Sequence, residues 1–273
     1  MELHKKILLG SFISIAMVSC NTTNDNVGEK DQQEQTALNV NNPAGFENTQ
    51  MCKDVYLPGE EYNPGAASKG AVIKNQKWPN GSVITVGFMG GSDKVRSKVM
   101  QYAQEWSKYA NITFKVIPTV TAAQIRISFD KQGSYSYIGI SALNRLSNQE
   151  TMNFGWFNDS TTDTEFSRTA THEFGHALGM IHEHQNPVAS IPWDKPKVYA
   201  YYAGAPNYWT KAQVDSNLFA KYSTTQTQYS AYDPKSIMHY SISKDLTTNG
   251  FSVGSNTVLS DTDKQFIATV YPK

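Results

Sequence analysis

The sequence predicts an α+β fold, and three observations carry the prediction. Short β-type runs at residues 82–88 and 112–117 enclose a stretch whose apolar residues recur at helical spacing. A second helical stretch carries a cluster of histidines beginning at His172. A capped helix of about ten residues ends before Pro272. The 273 residues suit one large domain or two small ones. Their 24 basic and 24 acidic side chains leave no formal net charge, which argues against nucleic acid or an anionic membrane surface as a partner. With 39% hydrophobic and 12% aromatic residues, the chain can build a packed core. Two cysteines cannot form a disulfide framework or a cysteine-ligated zinc ribbon.

Residues 1–19 read as a signal peptide. Lys5 and Lys6 precede an apolar run at 7–18 that is too short to span a bilayer comfortably. Ser19 before Cys20 resembles a bacterial lipoprotein signal, with Cys20 lipidated; an ordinary secretory signal with a chance cysteine is the alternative. Both readings place the protein outside the cytoplasm, and a lipid on Cys20 would be its one membrane contact. Residues 21–50 are rich in Asn, Gln, Thr, Asp and Glu and cannot bury enough apolar surface to offset chain entropy, so they read as a tether. Residues 51–69 carry Cys52, Tyr56, Leu57 and Tyr62 and read as a loop able to dock.

Asn80-Gly81 is a turn signal before the first long strand, 82–88. Gly90-Gly91 ends it. Ser92 then caps a helix whose Val95, Val99, Tyr102 and Trp106 share one face. Residues 112–117 form the next strand. Ile125, Ile127 and Phe129 alternate with polar residues, as in a half-buried strand, and 135–140 is a further strand. Thr162 with Glu165 starts the histidine helix, and Ser260 with Asp263 starts the last one.

From His172 the chain reads His-Glu-Phe-Gly-His-Ala-Leu-Gly-Met-Ile-His. Residues four apart share a helix face, so His172 and His176 can aim at one point. Gly179 ends the helix, because a residue at positive φ is easiest without a Cβ. The turn brings His182 to the same point. Three imidazoles with an open fourth position suit catalytic zinc rather than a closed structural site. Glu173 can reach a water there but is poorly directed to be a ligand. A lone His-Glu-x-x-His occurs by chance on amphipathic helices; the glycine and third histidine at these offsets make the extended motif listed for metzincins. Met238 in Ser236-Ile237-Met238-His239-Tyr240 reads in isolation as a core gap-filler, and in a metzincin as the apolar floor under the histidines.

These motifs, with Trp78-Pro79, Ser136-Tyr137-Ile138-Gly139 and Glu183 directly after His182, resemble the astacin-like zinc endopeptidases from about Gly70 onward. The resemblance implies a metzincin architecture of two subdomains. A twisted mixed sheet and the zinc helix lie above a cleft, and below it is an irregular half with a methionine turn and a final helix. It implies one Zn²⁺ per chain and protein or peptide substrates. It implies Tyr240 as a displaceable fifth zinc ligand that then stabilises the oxyanion, and Glu183 as the partner of the mature N-terminal ammonium. Glu173 is expected to be the general base toward a zinc-held water. Substrate is expected to lie antiparallel to an edge strand at Ser134, Tyr135 and Ser136. His184 and His239 are expected to support the site without ligating. Animal relatives carry disulfides in this domain, whereas no cysteine follows Cys52 here, and Gln185-Asn186-Pro187 departs from the usual basic segment.

The organisation expected is a signal at 1–19, a tether and inhibitory pro-segment at 20–69, and a catalytic domain at 70–273. An activating protease would cut between Lys69 and Gly70. Before that cut Cys52 is a candidate zinc ligand, since coordination deprotonates a thiol. Asp54 as the ligand, an inert Cys52, or a Cys52–Cys20 disulfide are the alternatives. A competing class of function is a catalytically silent surface binding module with structural zinc, which gives no reason to keep Glu173 and Tyr240.

Overall fold

The computed structural model describes residue 52 and residues 72–205, 207–222 and 227–273. Seven strands are described: β1 (Val72–Ile73), β2 (Val83–Phe88), β3 (Thr113–Val116), β4 (Ile125–Ser128), β5 (Ser134–Ser136), β6 (Met152–Phe154) and β7 (Thr227–Gln228). The helices are α1 (Asp93–Ser107), α2 (Asp163–Ala177), α3 (Lys195–Ala203), α4 (Lys211–Val214) and α5 (Asp261–Val270). The main sheet runs β3-β2-β4-β6-β5. Its first four strands are parallel and β5 is antiparallel, at the edge. A separate pair joins β1 to β7. This is the expected mixed sheet with an edge strand beside the histidine helix.

The caps form where the sequence placed them. Ser92 Oγ accepts from Val95 N–H, and Thr162 Oγ1 accepts from Glu165 N–H. Ser260 and Asp263 make a reciprocal capping box on α5. Helix α1 buries Val95, Val99, Ala103 and Trp106 against α2, and Trp106 Nε1–H donates to Thr171 O at 2.8 Å. One apolar core thereby joins sheet, α1, α2 and α5. A second gathers Val198, Tyr202, Trp209, Val214, Leu218 and Tyr240 from the C-terminal half.

Two expectations need correction. β4 is not half-buried: Arg126 and Ser128 are as buried as Ile125 and Ile127, because β2 and β6 flank it. The Arg126 guanidinium stays inside by donating to the carbonyls of Ala123, Gln149, Leu146 and Arg145. The strand expected at 135–140 is shorter and earlier, Ser134–Ser136. It cannot extend because Gly139 has φ +50° and opens a 3-10 helix, Gly139–Asn144. A Cβ at Gly139 would stand 1.8 Å from Gln76 O, so the backbone passes where only glycine fits. Strand β6 and helices α3 and α4 carry no expectation at all. Their local signals were a Pro just inside α3 after Asp194, and a Thr210–Gln213 capping box on α4.

Candidate metal centre

Helix α2 puts His172 and His176 on one face, and Gly179 at φ +94° turns the chain back to bring His182 beside them. The Nε2 atoms of His172 and His176 are 3.1 Å apart, and each is 3.2 Å from His182 Nε2. His172 Nδ1 lies 2.8 Å from Ile237 O, and His176 Nδ1 lies 2.8 Å from Met180 O. A carbonyl only accepts, so both Nδ1 atoms carry the proton and both Nε2 atoms present a lone pair. Lone pairs this close repel unless a cation joins them. Zinc holds nitrogen at about 2.0–2.1 Å in a tetrahedron, which sets two ligands roughly 3.3 Å apart. The three residues therefore fit zinc on the spacing of their donors. Burial, and then the neighbouring imidazoles, hold His172 and His182 well below the usual imidazole range, which keeps them neutral and ligating.

Met238 is fully buried and approaches α2 at a glycine. A Cβ on Gly175 would come within 2.4 Å of Met238 Sδ. The methionine turn is held from the far end of the chain. Asp263, besides capping α5, accepts from Ser236 Oγ at 2.6 Å and from Ile237 N–H at 2.8 Å. Sequence reasoning saw only its capping role. Glu183 N–H donates to Met238 O at 2.9 Å. The Glu183 carboxylate accepts from Asn186 Nδ2 and Asp233 N–H, and burial pushes its pKa up to about 8. Among the described residues no basic group pairs with it.

Cys52 is a buried free thiol, and Cys20, its partner in the disulfide alternative, lies outside the described residues. Its Sγ and ligand atoms of His172 and Glu173 lie within 4.8 Å of one another. Its backbone forms a parallel bridge with Ser134 on the edge strand β5. Burial, and then Glu173, push the thiol well above its ordinary value, so a cation is needed to make it a thiolate. Tyr240 O–H donates to Cys52 O at 2.6 Å. Ser134 and Ser136 are buried on the edge strand. Arg168, one helical turn before His172, lines the cavity beside Cys52, His172 and Tyr240. It donates twice to Glu165, and sequence reasoning did not single it out. His184 and His239 lie outside the triad, as expected: His184 Nε2–H donates to Asn217 O, and His239 Nδ1–H donates to Tyr240 O. Cys20, Asp54, Lys69 and Gly70 lie outside the described residues.

Fold, triad and methionine turn together define a metzincin zinc peptidase centre. The chain belongs to the astacin family of peptidases, whose family model it matches over residues 71–271. Among solved structures it is similar to myroilysin, at 73% identity and TM-score 0.73 over 75% of this chain and 99% of that one. A second myroilysin structure matches at 68% identity and TM-score 0.61, over 84% and 94%. Among curated proteins it resembles the hatching enzyme of Paracentrotus lividus, 30% identical over 156 residues, half of this chain and 25% of that protein. It also resembles zinc metalloproteinase nas-8 of Steinernema carpocapsae, 26% identical over 68% of this chain and 40% of that protein. The chain thus spans well under half the length of these two relatives.

Proposed function

We propose that the chain is an exported zinc endopeptidase made as a latent precursor, with Cys52 blocking the metal. The catalytic domain is 70–273, the inhibitory pro-segment and tether are 20–69, and residues 1–19 are the signal. The carrying observation is the position of Cys52, between the edge strand, His172 and Glu173, with its carbonyl on the Tyr240 hydroxyl. Cys52 thereby meets the strand, the general base and the oxyanion donor that a substrate would need. Its bridge to Ser134 is parallel, whereas substrate is proposed to run antiparallel to Ser134, Tyr135 and Ser136.

Zinc, when bound, acidifies water and polarises a carbonyl. Glu173 takes the proton from the attacking water and returns it to the leaving amine. Once the cut has removed Cys52, the Tyr240 hydroxyl is released from its carbonyl and donates to the developing oxyanion. Cleavage by an activating protease between Lys69 and Gly70 would free an ammonium for the buried Glu183 carboxylate, which supports a maturation role for that residue. A lipid on Cys20 would hold the precursor at the envelope, and the cut would then release the enzyme.

The test is zinc content and casein hydrolysis on matched samples of the intact chain and the chain trimmed at Lys69. Zinc in both with activity only after trimming is expected, and Cys52→Ser should make the uncut chain active. Full activity of the intact wild type would overturn the latency. Zinc without hydrolysis of any peptide after trimming would overturn the peptidase. Glu173→Ala should keep zinc and lose turnover.

A further inference from the structure

Tyr240 must release one hydrogen bond and make another without losing its place over the metal ligands. Its ring is buried and packs against two imidazoles. The His182 ring centroid is 4.2 Å away, tilted at 54°. The His184 ring is 4.5 Å away and stacked at 29°. His184 is also stacked on His182, at 5.4 Å and 26°. His182 is committed as a ligand, so its ring plane is set by the metal. His184 is not a ligand, and something else must hold it.

That support comes from an unusual segment. Residues Asp215–Phe219 form one turn of π-helix directly after α4, closed by Ala220 N–H to Asp215 O at 2.9 Å. A π turn widens the backbone and redirects its carbonyls. Two consecutive carbonyls of this turn accept from two consecutive side chains. His184 Nε2–H donates to Asn217 O at 2.7 Å, and Gln185 Nε2 donates to Ser216 O at 2.9 Å. Both side chains belong to the 3-10 turn that follows the last zinc ligand, and both are buried. The turn is anchored by Leu218 in the same core cluster that receives the Tyr240 ring.

We infer that His184 is a positioning residue for Tyr240, clamped by the π turn so that its imidazole forms the wall along which the tyrosine ring shifts. The inference rests on the proposed role of Tyr240 at the oxyanion. His184 touches neither substrate nor reacting atoms. A wall of this kind acts on the geometry of the transition state, so its loss lowers kcat and leaves KM nearly unchanged.

The experiment compares wild type, His184→Ala, His184→Phe, Tyr240→Phe and the His184→Ala/Tyr240→Phe pair. Each is made as the full chain, activated by cleavage, checked for zinc, and assayed for kcat and KM on one peptide. His184→Ala is expected to lose kcat by on the order of tenfold with KM within about twofold. In the Tyr240→Phe background the same change should cost almost nothing, because its effect passes through the phenol hydroxyl. His184→Phe keeps a ring against Tyr240 and should recover part of the loss; it carries the comparison if the alanine variant is unstable. An equal loss in both backgrounds overturns the inference while leaving Tyr240's role intact. So does a wild-type kcat in His184→Ala. A wild-type kcat in Tyr240→Phe overturns the reading beneath it, and this inference with it.

Discussion

Gly175→Ala tests how the methionine turn is seated. On an exposed helix this change stabilises by about 1 kcal/mol, since alanine loses less backbone entropy. Here the new Cβ would stand 2.4 Å from Met238 Sδ, 3.2 Å from Met238 Cε and 3.0 Å from Trp106 Cζ2. Comfortable contacts are about 3.5–4.0 Å, so the thioether must retreat by roughly 1 Å or more. It has little room, being fully buried, and Trp106 opposite is tied to Thr171 O. Overpacking of this kind costs about 1–3 kcal/mol, and a contact this close belongs in the upper part of that range, about 2–3 kcal/mol, which outweighs the propensity gain by roughly 1–2 kcal/mol. For a domain of this size that lowers Tm by roughly 2–8 °C. Displacing Met238 also drags its neighbours. Ile237 O holds the His172 tautomer, and Met238 O holds Glu183 N–H. Zinc should therefore leave the variant faster on chelator challenge. The assay is thermal unfolding with zinc-release kinetics on the full chain, for Gly175→Ala, for Met238→Val and for the two together. The double variant should be less unstable than the two single losses summed. A raised Tm with unchanged zinc release in Gly175→Ala would refute the argument that α2 needs glycine where the methionine approaches.

Gly139→Ala should be far more damaging, because the new Cβ falls 1.8 Å from a backbone oxygen at φ +50°; failure to fold, read by circular dichroism, is expected, and a well-folded variant would contradict the close approach. Acid stability should depend on Glu165. Burial is the largest single effect and raises its pKa, but the hydrogen bond and charge of Arg168, with the hydrogen bonds from Thr169 and Trp156, together outweigh it and hold the carboxyl below its ordinary value of 4.5. A depressed carboxylate stabilises above the ordinary value and loses that contribution as pH falls through the folded one. The fall of Tm below about pH 4.5 should thus be shallower in Glu165→Gln than in wild type; identical profiles would remove this pair from the account. Glu183→Gln should leave the intact precursor as stable or more so at pH 8, since a buried carboxyl is removed, yet destabilise the trimmed chain. Equal effects on both forms would argue against pairing with a new N-terminus.

The zinc site was legible because its chemistry is its spacing. Offsets of four and six between the histidines follow from one helical turn and one reversal, and Gly179 marks the reversal. Caps were equally plain, since Ser92, Thr162 and Ser260 bond within three residues. What failed had its cause far away in the chain. Arg126 reads as solvent-facing until β6 and the carbonyls around it are in place. β5 is cut short by an approach to Gln76, over sixty residues earlier. β6 is three residues that pair only because β4 and β5 accept them. Cys52 was suspected from its isolation, but its contact with Ser134 and the Tyr240 bond to its carbonyl carry no local signature.

The ties that complete the site run back from the last helix. Asp263 holds the methionine turn, and Tyr271 O–H donates to Leu178 O at the end of α2, across 93 residues. Trp78 N–H reaches the same Tyr271 hydroxyl across 193. During synthesis all three imidazoles emerge well before these partners. At about 5–20 residues per second the interval is on the order of ten seconds. A growing chain thus has ligands for zinc before it has the scaffold that sets their geometry. Competence arrives late, and a chain stalled before α5 would be a metal binder with no ordered floor beneath the metal.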